Sequence, residues 1–238
     1  MRIALLGYGK MGHEIENVAV NRGHEVILKI DKENHQNLTG ENLKQVDMAM
    51  EFSTPATVYQ NIMFCIDNGI PVVCGTTGWI DKFEDIRSAV LLNSGAFFWA
   101  SNYSIGVNLF FKVNKLLSDY IKEIGGYNPR ITEIHHTQKL DAPSGTAITL
   151  ANIISGSIKS FKGWSLLPDK SDNKIPIESI REGIVPGTHI VTFDSEKDEI
   201  TLVHKAKNRK GFALGAVLAA EFLLEKKGIY SMDDLLKL

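Results

Sequence analysis

The sequence lacks the features that mark several common classes of protein. Its 238 residues include only two cysteines, Cys65 and Cys74, which are too few for a disulfide framework. Both lie in apolar runs, so we expect buried free thiols in a reducing compartment, and hence a cytoplasmic location. No apolar run approaches the roughly 20 residues of a membrane-spanning helix. The apolar stretch at the N-terminus is too short for a signal peptide, so we expect none.

An excess of charge of one sign is also missing. The chain has 26 basic and 28 acidic residues, which give a formal net charge of −2. Without a positive field we expect no binding to nucleic acid or to an acidic membrane surface. The sequence has no low-complexity segments and no obvious internal repeats. Its length is sufficient for one large domain or two modest ones.

The first hundred residues alternate between short apolar runs and helical patterns. We expect strands at Arg2–Leu6, Glu25–Asp31, Val46–Phe52, Pro71–Cys74 and Ala96–Ala100. We expect helices at Met11–Arg22, Ser53–Asn68 and Asp81–Leu92. Apolar strands that alternate with helices are typical of a parallel sheet covered on both faces. The sequence therefore predicts a Rossmann-like, doubly wound α/β domain.

The pattern changes after Asn102. A long amphipathic helix at Ile105–Ile124 is followed by a mixture of strands and one more helix. These segments are Arg130–His136, Thr146–Phe161, Ile175–Arg181, Thr188–Asp194 and Glu199–Ala206. The last two flank a turn-forming sequence and predict a hairpin. We therefore expect an α+β unit with an antiparallel or mixed sheet.

The apolar helix predicted at Phe212–Glu225 needs a large apolar partner surface, which the parallel sheet of the first domain offers. We therefore expect a discontinuous dinucleotide-binding domain made of residues 1–104 and 211–238. Residues 105–210 would form the inserted domain.

A G-x-G-x-x-G motif follows the first predicted strand and opens the first helix. Gly7 permits a tight turn, Gly9 lets the backbone approach a pyrophosphate, and Gly12 lets the helix pack closely on the strand. The candidate cofactor contacts in this turn are Gly7, Tyr8, Gly9, Lys10, Met11 and Gly12. The alternative is a glycine turn that holds no ligand.

Asp31 stands at the end of the second predicted strand, at the spacing expected for an acceptor of ribose hydroxyl groups. An aspartate alone disfavours a 2′-phosphate, whereas the adjacent Lys32 could tolerate one. We therefore expect the cofactor to be NADH or NADPH, with both usable.

Small and hydroxylated residues follow two later strands of the first domain. They are Gly75, Thr76, Thr77, Ala100, Ser101, Asn102 and Tyr103. Ligands of open α/β sheets gather at the carboxyl ends of the strands, so these residues are candidates for the nicotinamide side of the cofactor. The alternative is that both segments are ordinary polar turns.

The segment Glu133–Ala147, EIHHTQKLDAPSGTA, carries the most titratable chemistry. In a strand, His135 and His136 point to opposite faces, so we expect them to have different tasks. One histidine could transfer protons, and a lysine near another cation, such as Lys139, could donate one. Adjacent histidines diverge and we find no cysteine or carboxylate cluster beside them, so we expect no metal site.

The same segment ends in a helix start. Ser144 can cap this helix, and the backbone N–H groups of Gly145 and Thr146 would then offer a site for a carboxylate. The segment therefore suits a small anionic substrate that receives a hydride from one side and a proton from the other. The plain alternative is a polar strand end and a capped surface helix. Arg181, His204 and Lys205 could also reach the cleft or a subunit interface, but for each of them we expect the solvated surface.

The segment Glu133–Ala147 resembles the signature of the dihydrodipicolinate reductase family. Gly75–Gly78, Ser101–Asn108 and His204–Ala206 also match that family in order, as does the glycine turn. The resemblance implies reduction of 4-hydroxy-tetrahydrodipicolinate, a small cyclic dicarboxylate, to tetrahydrodipicolinate with loss of water. This step belongs to the diaminopimelate route of lysine biosynthesis.

The resemblance also implies a role for each matching residue. His135 is the implied acid/base, Lys139 the proton donor and His136 a substrate contact. The backbone of Gly145 and Thr146 would bind a substrate carboxylate. The family is typically a homotetramer joined through the sheets of the inserted domain. Two other hypotheses are a different dinucleotide oxidoreductase with an inserted domain and a non-catalytic cofactor sensor.

Overall fold

The computed structural model describes residues 1–208 and 210–237. The chain divides into two compact units. Unit 1 consists of Met1–Ser104 with Lys210–Leu238, and unit 2 consists of Ile105–Arg209. No helix in the described ranges has the length and apolar character that crossing a membrane requires.

The strands are β1 (Arg2–Leu6), β2 (Glu25–Ile30), β3 (Met48–Glu51), β4 (Val72–Cys74), β5 (Ala96–Trp99), β6 (Asn128–His135), β7 (Trp164–Leu166), β8 (Ile175–Arg181), β9 (Thr188–Asp194), β10 (Glu199–Lys205) and β11 (Gly228–Tyr230). The helices are α1 (Lys10–Asn21), α2 (Gly40–Leu43), α3 (Val58–Asp67), α4 (Phe83–Leu92), α5 (Ile105–Ile124), α6 (Gly145–Ser157), α7 (Lys210–Leu223) and α8 (Met232–Leu236).

Unit 1 contains a six-stranded sheet in the order β11-β5-β4-β3-β1-β2, and all its strand pairs are parallel. The chain runs from β1 to β2 on one side and then places β3 on the other side of β1. The strand order therefore reverses between β1 and β3, which is the switch point of a doubly wound sheet. The Rossmann-like parallel sheet predicted from the sequence is confirmed.

Helix α7 packs against β3, β4 and β5, as its apolar sequence predicts. Its buried side is built largely from alanine and glycine. At Gly215 a Cβ atom would lie 1.8 Å from the backbone oxygen of Tyr103, so only glycine allows this close approach. The small residues thus let the helix lie directly on the chain that follows β5.

Unit 2 contains a mixed sheet in the order β10-β9-β6-β8-β7. Strand β9 is antiparallel to both of its neighbours, whereas β6, β8 and β7 run parallel. The predicted hairpin between β9 and β10 is present and turns through Ser195–Asp198, where the Ser195 N–H donates to the Asp198 carbonyl. Residues of α5 and α6 share a buried core with the strands, including Phe110, Leu150, Ile177 and Phe193.

Several element ends differ from the prediction. Helix α3 begins at Val58 rather than Ser53, because the Ser53 hydroxyl bonds to the buried Glu51 carboxylate instead of capping the helix. Strand β6 ends at His135, and α6 ends at Ser157. The sequence did not predict α2, β7, β11 or α8, each only three to five residues long.

Candidate active site

The glycine turn of unit 1 lies at the switch point of the sheet. Gly7 has φ +98°, and a Cβ atom there would lie 2.2 Å from the Phe52 carbonyl oxygen at the end of β3. A Cβ atom on Gly12 would lie 2.5 Å from the Gly7 oxygen. Among the described residues, no atom beyond the chain neighbours of Gly9 lies within 4 Å of its Cβ position, so that backbone faces open space. This is the arrangement that a dinucleotide turn requires.

The remaining residues of the turn differ in their freedom. Tyr8 donates its hydroxyl to Glu16, and the Lys29 ammonium lies 4.8 Å above the Tyr8 ring. The Tyr8 side chain is therefore fixed against α1 and β2. Lys10 is exposed, Met11 is half-buried, and the first turn of α1 contains no acidic residue. The N-terminus of α1 is thus suited to an anion.

Asp31 follows β2 directly, beside the glycine turn. The Gly7 N–H donates to the Ile30 carbonyl at 2.8 Å, which ties the two strand ends together. One oxygen of Asp31 accepts the N–H of Glu33 at 2.8 Å, and this fixes the carboxylate. Lys32 is exposed. The position fits an acceptor of ribose hydroxyls, and that assignment stays a prediction.

The segment Gly75–Thr77 lies at the end of β4. A Cβ atom on Gly75 would lie 2.1 Å from the Phe52 ring, so glycine makes room for that ring. Thr76 is buried and its carbonyl accepts the indole N–H of Trp79 at 2.7 Å, whereas Thr77 is exposed. Phe52, which the sequence analysis did not select, therefore lies against both Gly7 and Gly75.

The segment after β5 is only partly exposed. Ala100 is buried, Ser101 is exposed, and the side-chain oxygen Oδ1 of Asn102 accepts the backbone N–H of Ser104 at 2.9 Å. The Tyr103 ring is buried and its hydroxyl donates to the Cys74 carbonyl at 2.7 Å. The side chain of Tyr103 is thus engaged in the core, so a cofactor contact there would involve the backbone.

A second set of polar residues is built around Glu133 in unit 2. The alternation of β6 puts Glu133 and His135 on one face of the sheet, and both are buried. Oε2 of Glu133 lies 3.2 Å from Nδ1 of His135. Among the described residues, neither of these two atoms has a well-directed hydrogen bond, so the contact between them is an ion pair by distance. His136 follows the end of the strand and is half-buried.

The other oxygen of Glu133 accepts three hydrogen bonds. The donors are the N–H of Ser144 at 3.1 Å, the hydroxyl of Ser179 at 2.8 Å and Nη2 of Arg181 at 3.0 Å. Burial alone would raise the pKa of Glu133. The close contact with His135 and these donors lower it by more, so the pKa lies well below its usual range and the group is an anion.

His189 of β9 completes this buried group. Its Nε2 lies 3.9 Å from Oε2 of Glu133 and 3.2 Å from the Ser144 hydroxyl. The rings of His189 and His135 meet edge to face, with centroids 5.1 Å apart. Burial, assisted by the charge of His135, lowers the pKa of His189 to about 3, so it is neutral at physiological pH.

Lys139 lies on the loop between β6 and α6. Its ammonium is 2.7 Å from both carboxylate oxygens of Asp141, whose pKa the ion pair lowers. Arg181 fixes the loop by donating from Nε to the Lys139 carbonyl at 3.3 Å and from Nη2 to the Asp141 carbonyl at 2.6 Å. The expectation that Arg181 lies at the solvated surface is therefore wrong.

Helix α6 begins at Gly145, and its capping residue is Ser144, as predicted. The Ser144 hydroxyl accepts the N–H of Ala147 at 3.3 Å. Apart from its chain neighbours and the backbone of α6 itself, no atom of the described residues lies within 4 Å of the Cβ position of Gly145, so the first turn opens to space beside Thr146. The backbone there suits a carboxylate.

The structure brings together three potential metal ligands that the sequence analysis did not connect. Ligand atoms of Glu133, His135 and His189 lie within 4.8 Å of one another. The guanidinium of Arg181 already bonds to Glu133, so a cation would compete with a positive charge in place. This environment favours proton handling over metal binding, and the absence of a metal cofactor stays a prediction.

Glu133 and His189 were not predicted as parts of the site, and Arg181 was expected at the solvated surface rather than in the cleft. Arg181 is opposite His135 in the register of β8 and β6, and His189 is opposite Glu133 in that of β9 and β6. These pairings join residues some 50 positions apart and leave no local signal. The period of two within β6 could have placed Glu133 beside His135.

A glycine turn at the switch point of a parallel sheet is the mark of a protein that binds a dinucleotide. An ionised glutamate, a histidine and a lysine grouped beside an open helix N-terminus add the means to bind a small anion and move a proton. Together they define the class: the protein is an NAD(P)H-dependent oxidoreductase.

Comparison with known proteins identifies the family. The models for the N-terminus and C-terminus of dihydrodipicolinate reductase match residues 1–103 and 106–236. The chain is 48% identical over 238 residues to the 4-hydroxy-tetrahydrodipicolinate reductase of Christiangramia forsetii, covering 99% of this chain and 98% of that one. It is 36% identical to the enzyme of the same name from Clostridium novyi, covering 96% and 95%. The chain belongs to the dihydrodipicolinate reductase family.

A solved structure supports the same assignment. The dipicolinate-bound dihydrodipicolinate reductase from Paenisporosarcina sp. TG-14 is 26% identical, matches with a TM-score of 0.81, and is covered over 98% of both chains. The family predicted from Glu133–Ala147 is therefore confirmed.

Proposed function

We propose that the protein reduces 4-hydroxy-tetrahydrodipicolinate to tetrahydrodipicolinate with loss of water, in the diaminopimelate route of lysine biosynthesis. The observation that carries this proposal is the grouping in unit 2 of His135, the Lys139–Asp141 pair and the open N-terminus of α6. The relatives that carry the name of this activity support it, and the relative bound to dipicolinate supports a cyclic dicarboxylate as substrate.

The proposed substrate is a dianion, and the site offers matching groups. The N–H groups of Gly145 and Thr146 would hold one carboxylate at the start of α6, where the helix dipole adds to the attraction. The ammonium of Lys139 and the ring of His136 would meet the opposite side of the substrate. Among the described residues, Nδ1 of His136 has no hydrogen-bond partner.

The reaction consumes one hydride and one proton and releases one water. The reduced nicotinamide, when bound, supplies the hydride. His135 and Lys139 handle the protons: the His135 ring is placed to hold or release one, with Glu133 at Nδ1, and the Lys139 ammonium can donate one. Because Arg181 bonds to the Lys139 carbonyl, the loop that carries this ammonium is fixed.

We propose NADH or NADPH as the cofactor, held by unit 1. The turn from Gly7 to Gly12 would bind the pyrophosphate and Asp31 the ribose, with Lys32 near a 2′-phosphate. The residues proposed for the nicotinamide side are Gly75, Thr76, Thr77, Ala100, Ser101, Asn102 and Tyr103. The open space at Gly9 and the uncapped start of α1 support the pyrophosphate assignment.

The test of the activity is a coupled assay. The preceding synthase forms the substrate from aspartate semialdehyde and pyruvate, and the loss of NADH or NADPH absorbance is followed. We expect oxidation that depends on the enzyme and on both carbon substrates. A folded protein that oxidises neither cofactor under these conditions would rule out the proposal.

We further propose a cytoplasmic homotetramer joined through unit 2. Five exposed apolar residues form a stripe along α5 at helical spacing: Leu109, Val113, Leu116, Tyr120 and Ile124. Beside α5, strand β10 is an edge of the sheet, and such edges are usually covered. Light scattering after gel filtration should give four times the chain mass, and a monomer at micromolar concentration would contradict the proposal.

A further inference from the structure

We infer that Glu133 is a positioning residue that holds three parts of the substrate site in register: the His135 ring, the Lys139 loop and the N-terminus of α6. This inference rests on the proposed function, because these are the groups assigned to the substrate. Glu133 is fully buried and does not itself face an open surface. It therefore acts through its neighbours rather than on the reacting atoms.

The first part is the histidine. The Glu133 carboxylate lies 3.2 Å from Nδ1 of His135, and this favours a proton on Nδ1. Nε2 is then the nitrogen left to exchange a proton. Room on that side is provided by Gly187, where a Cβ atom would lie 3.0 Å from Nε2. One carboxylate thus sets both the tautomer and the orientation of the ring.

The second part is the lysine loop, which Glu133 holds through Arg181. Nη2 of Arg181 bonds to the carboxylate and also to the Asp141 carbonyl, while Nε bonds to the Lys139 carbonyl. The guanidinium is planar and rigid, so its two bonds to the loop depend on where the carboxylate holds it. A shift of Arg181 would release the backbone on both sides of Leu140.

The third part is the helix start. The N–H of Ser144 donates to the same carboxylate oxygen that accepts Arg181, which fixes the capping residue of α6. Ser144 is also bonded to His189, which is neutral and so adds no charge beside His135. The first turn of α6 is therefore oriented by the group that orients the histidine.

The charge of Glu133, and not only its shape, is required by this arrangement. Arg181 and the His135 ring both face the carboxylate, and Lys139 is a further cation nearby, whereas His189 is uncharged and Asp141 is already paired with Lys139. Glutamine has the same shape but no charge, and its amide group would meet Arg181 or His135 with a donor. The His135 ring would lose the carboxylate that faces its Nδ1 atom.

The experiment compares Glu133→Gln with Glu178→Gln. Glu178 is an exposed glutamate on the neighbouring strand and serves as a matched control. We expect kcat/KM for the ring substrate to fall about 100-fold or more in Glu133→Gln and to stay near wild type in Glu178→Gln. The affinity for NADH should be unchanged in both variants. Activity of Glu133→Gln within threefold of wild type would overturn the inference.

Nitrogen-15 NMR of the histidine rings distinguishes a positioning role of Glu133 from a purely structural one, and it needs no substrate. In the wild type we expect His135 as the Nδ1–H tautomer, and in Glu133→Gln a loss of that tautomer. An Nε2–H tautomer in the wild type, or an unchanged tautomer in the variant, would overturn the inference. If Glu133→Gln does not fold, the wild-type spectrum still decides.

The outcome is distinguishable from a failure of the proposed function. A wild type that is inactive on the ring substrate but shows the Nδ1–H tautomer would remove the substrate assignment and leave the role of Glu133 toward His135. A wild type that is active but shows the Nε2–H tautomer would keep the substrate assignment and remove the role of Glu133. Glu133→Asp, which keeps the charge on a shorter side chain, should recover part of the lost kcat.

Discussion

Replacing Arg181 with methionine should destabilise the protein in a pH-dependent manner. Methionine keeps much of the length of the side chain but removes the charge that faces the fully buried Glu133. Breaking a buried ion pair costs about 3–5 kcal/mol. Glu133 keeps its bonds from Ser144 and Ser179, so we expect the free energy of unfolding to fall by about 2–3 kcal/mol at pH 7. For a chain of this size that corresponds to a Tm lower by about 4–12 °C.

The sign of the pH dependence follows from the pKa of Glu133. Its pKa is lower in the folded protein than the ordinary value of 4.5, so its ionisation contributes stability above about pH 4.5. That contribution is lost as the pH falls below this value toward the folded pKa. The Arg181→Met variant lacks part of the contribution. The difference in free energy of unfolding between wild type and variant should therefore narrow by up to about 1.4 kcal/mol for each pH unit below 4.5.

The measurement is urea unfolding, followed by circular dichroism at pH 7 and at pH 3.5. Arg130→Met is the matched control, because Arg130 pairs with Glu199 at 2.8 Å but both side chains are about half exposed. That surface pair is worth about 0–1 kcal/mol. The reasoning is refuted if Arg130→Met is as destabilising as Arg181→Met, or if the gap is the same at both pH values.

Three further predictions concern activity and cofactor binding. Lys139→Ala should lower kcat by about 100-fold or more while the Kd for NADH, from fluorescence titration, stays near wild type; equal loss of both would contradict its role. Asp31→Ala should weaken the binding of NADH more than that of NADPH in the same titration, and the opposite order would exclude the ribose assignment. Gly7→Ala should abolish NADH binding, because its Cβ atom would lie 2.2 Å from the Phe52 oxygen. The control Gly125→Ala, at φ +74° with open space around it, should bind normally.

Much of the fold could be predicted because its signals are local. The runs that form β1, β3 and β4 are buried on both faces, and glycine or proline marks the ends of β1 and β4, so alternation with helices indicates a parallel sheet. Strands β7 and β11 escaped prediction because each has three half-buried residues at a sheet edge. So short a segment has no measurable period, and only its neighbour in the sheet makes it a strand.

The candidate site likewise has residues that local sequence predicts and residues that only the pairing of strands brings to it. His135, Lys139, Ser144 and Gly145 stand in one segment of sequence, so a strand end and a helix start could be inferred from residue types alone. Arg181 reaches this segment only through the pairing of β6 with β8, and its sequence neighbours suggest nothing but a solvated strand. Burial, not sequence spacing, makes Glu133 the centre of the group.

The interrupted order of unit 1 has a consequence for how the chain folds as it is synthesised. Residues 1–104 emerge first, yet the helix that covers β3, β4 and β5 and the strand that pairs with β5 come from the last 29 residues of unit 1. Unit 2 is continuous, so it can be completed on the ribosome while the first segment still waits for α7 and β11. A nascent chain stopped before α7 would expose the apolar face of the sheet that α7 covers and the edge of β5 that pairs with β11. We expect chaperones to bind such a chain.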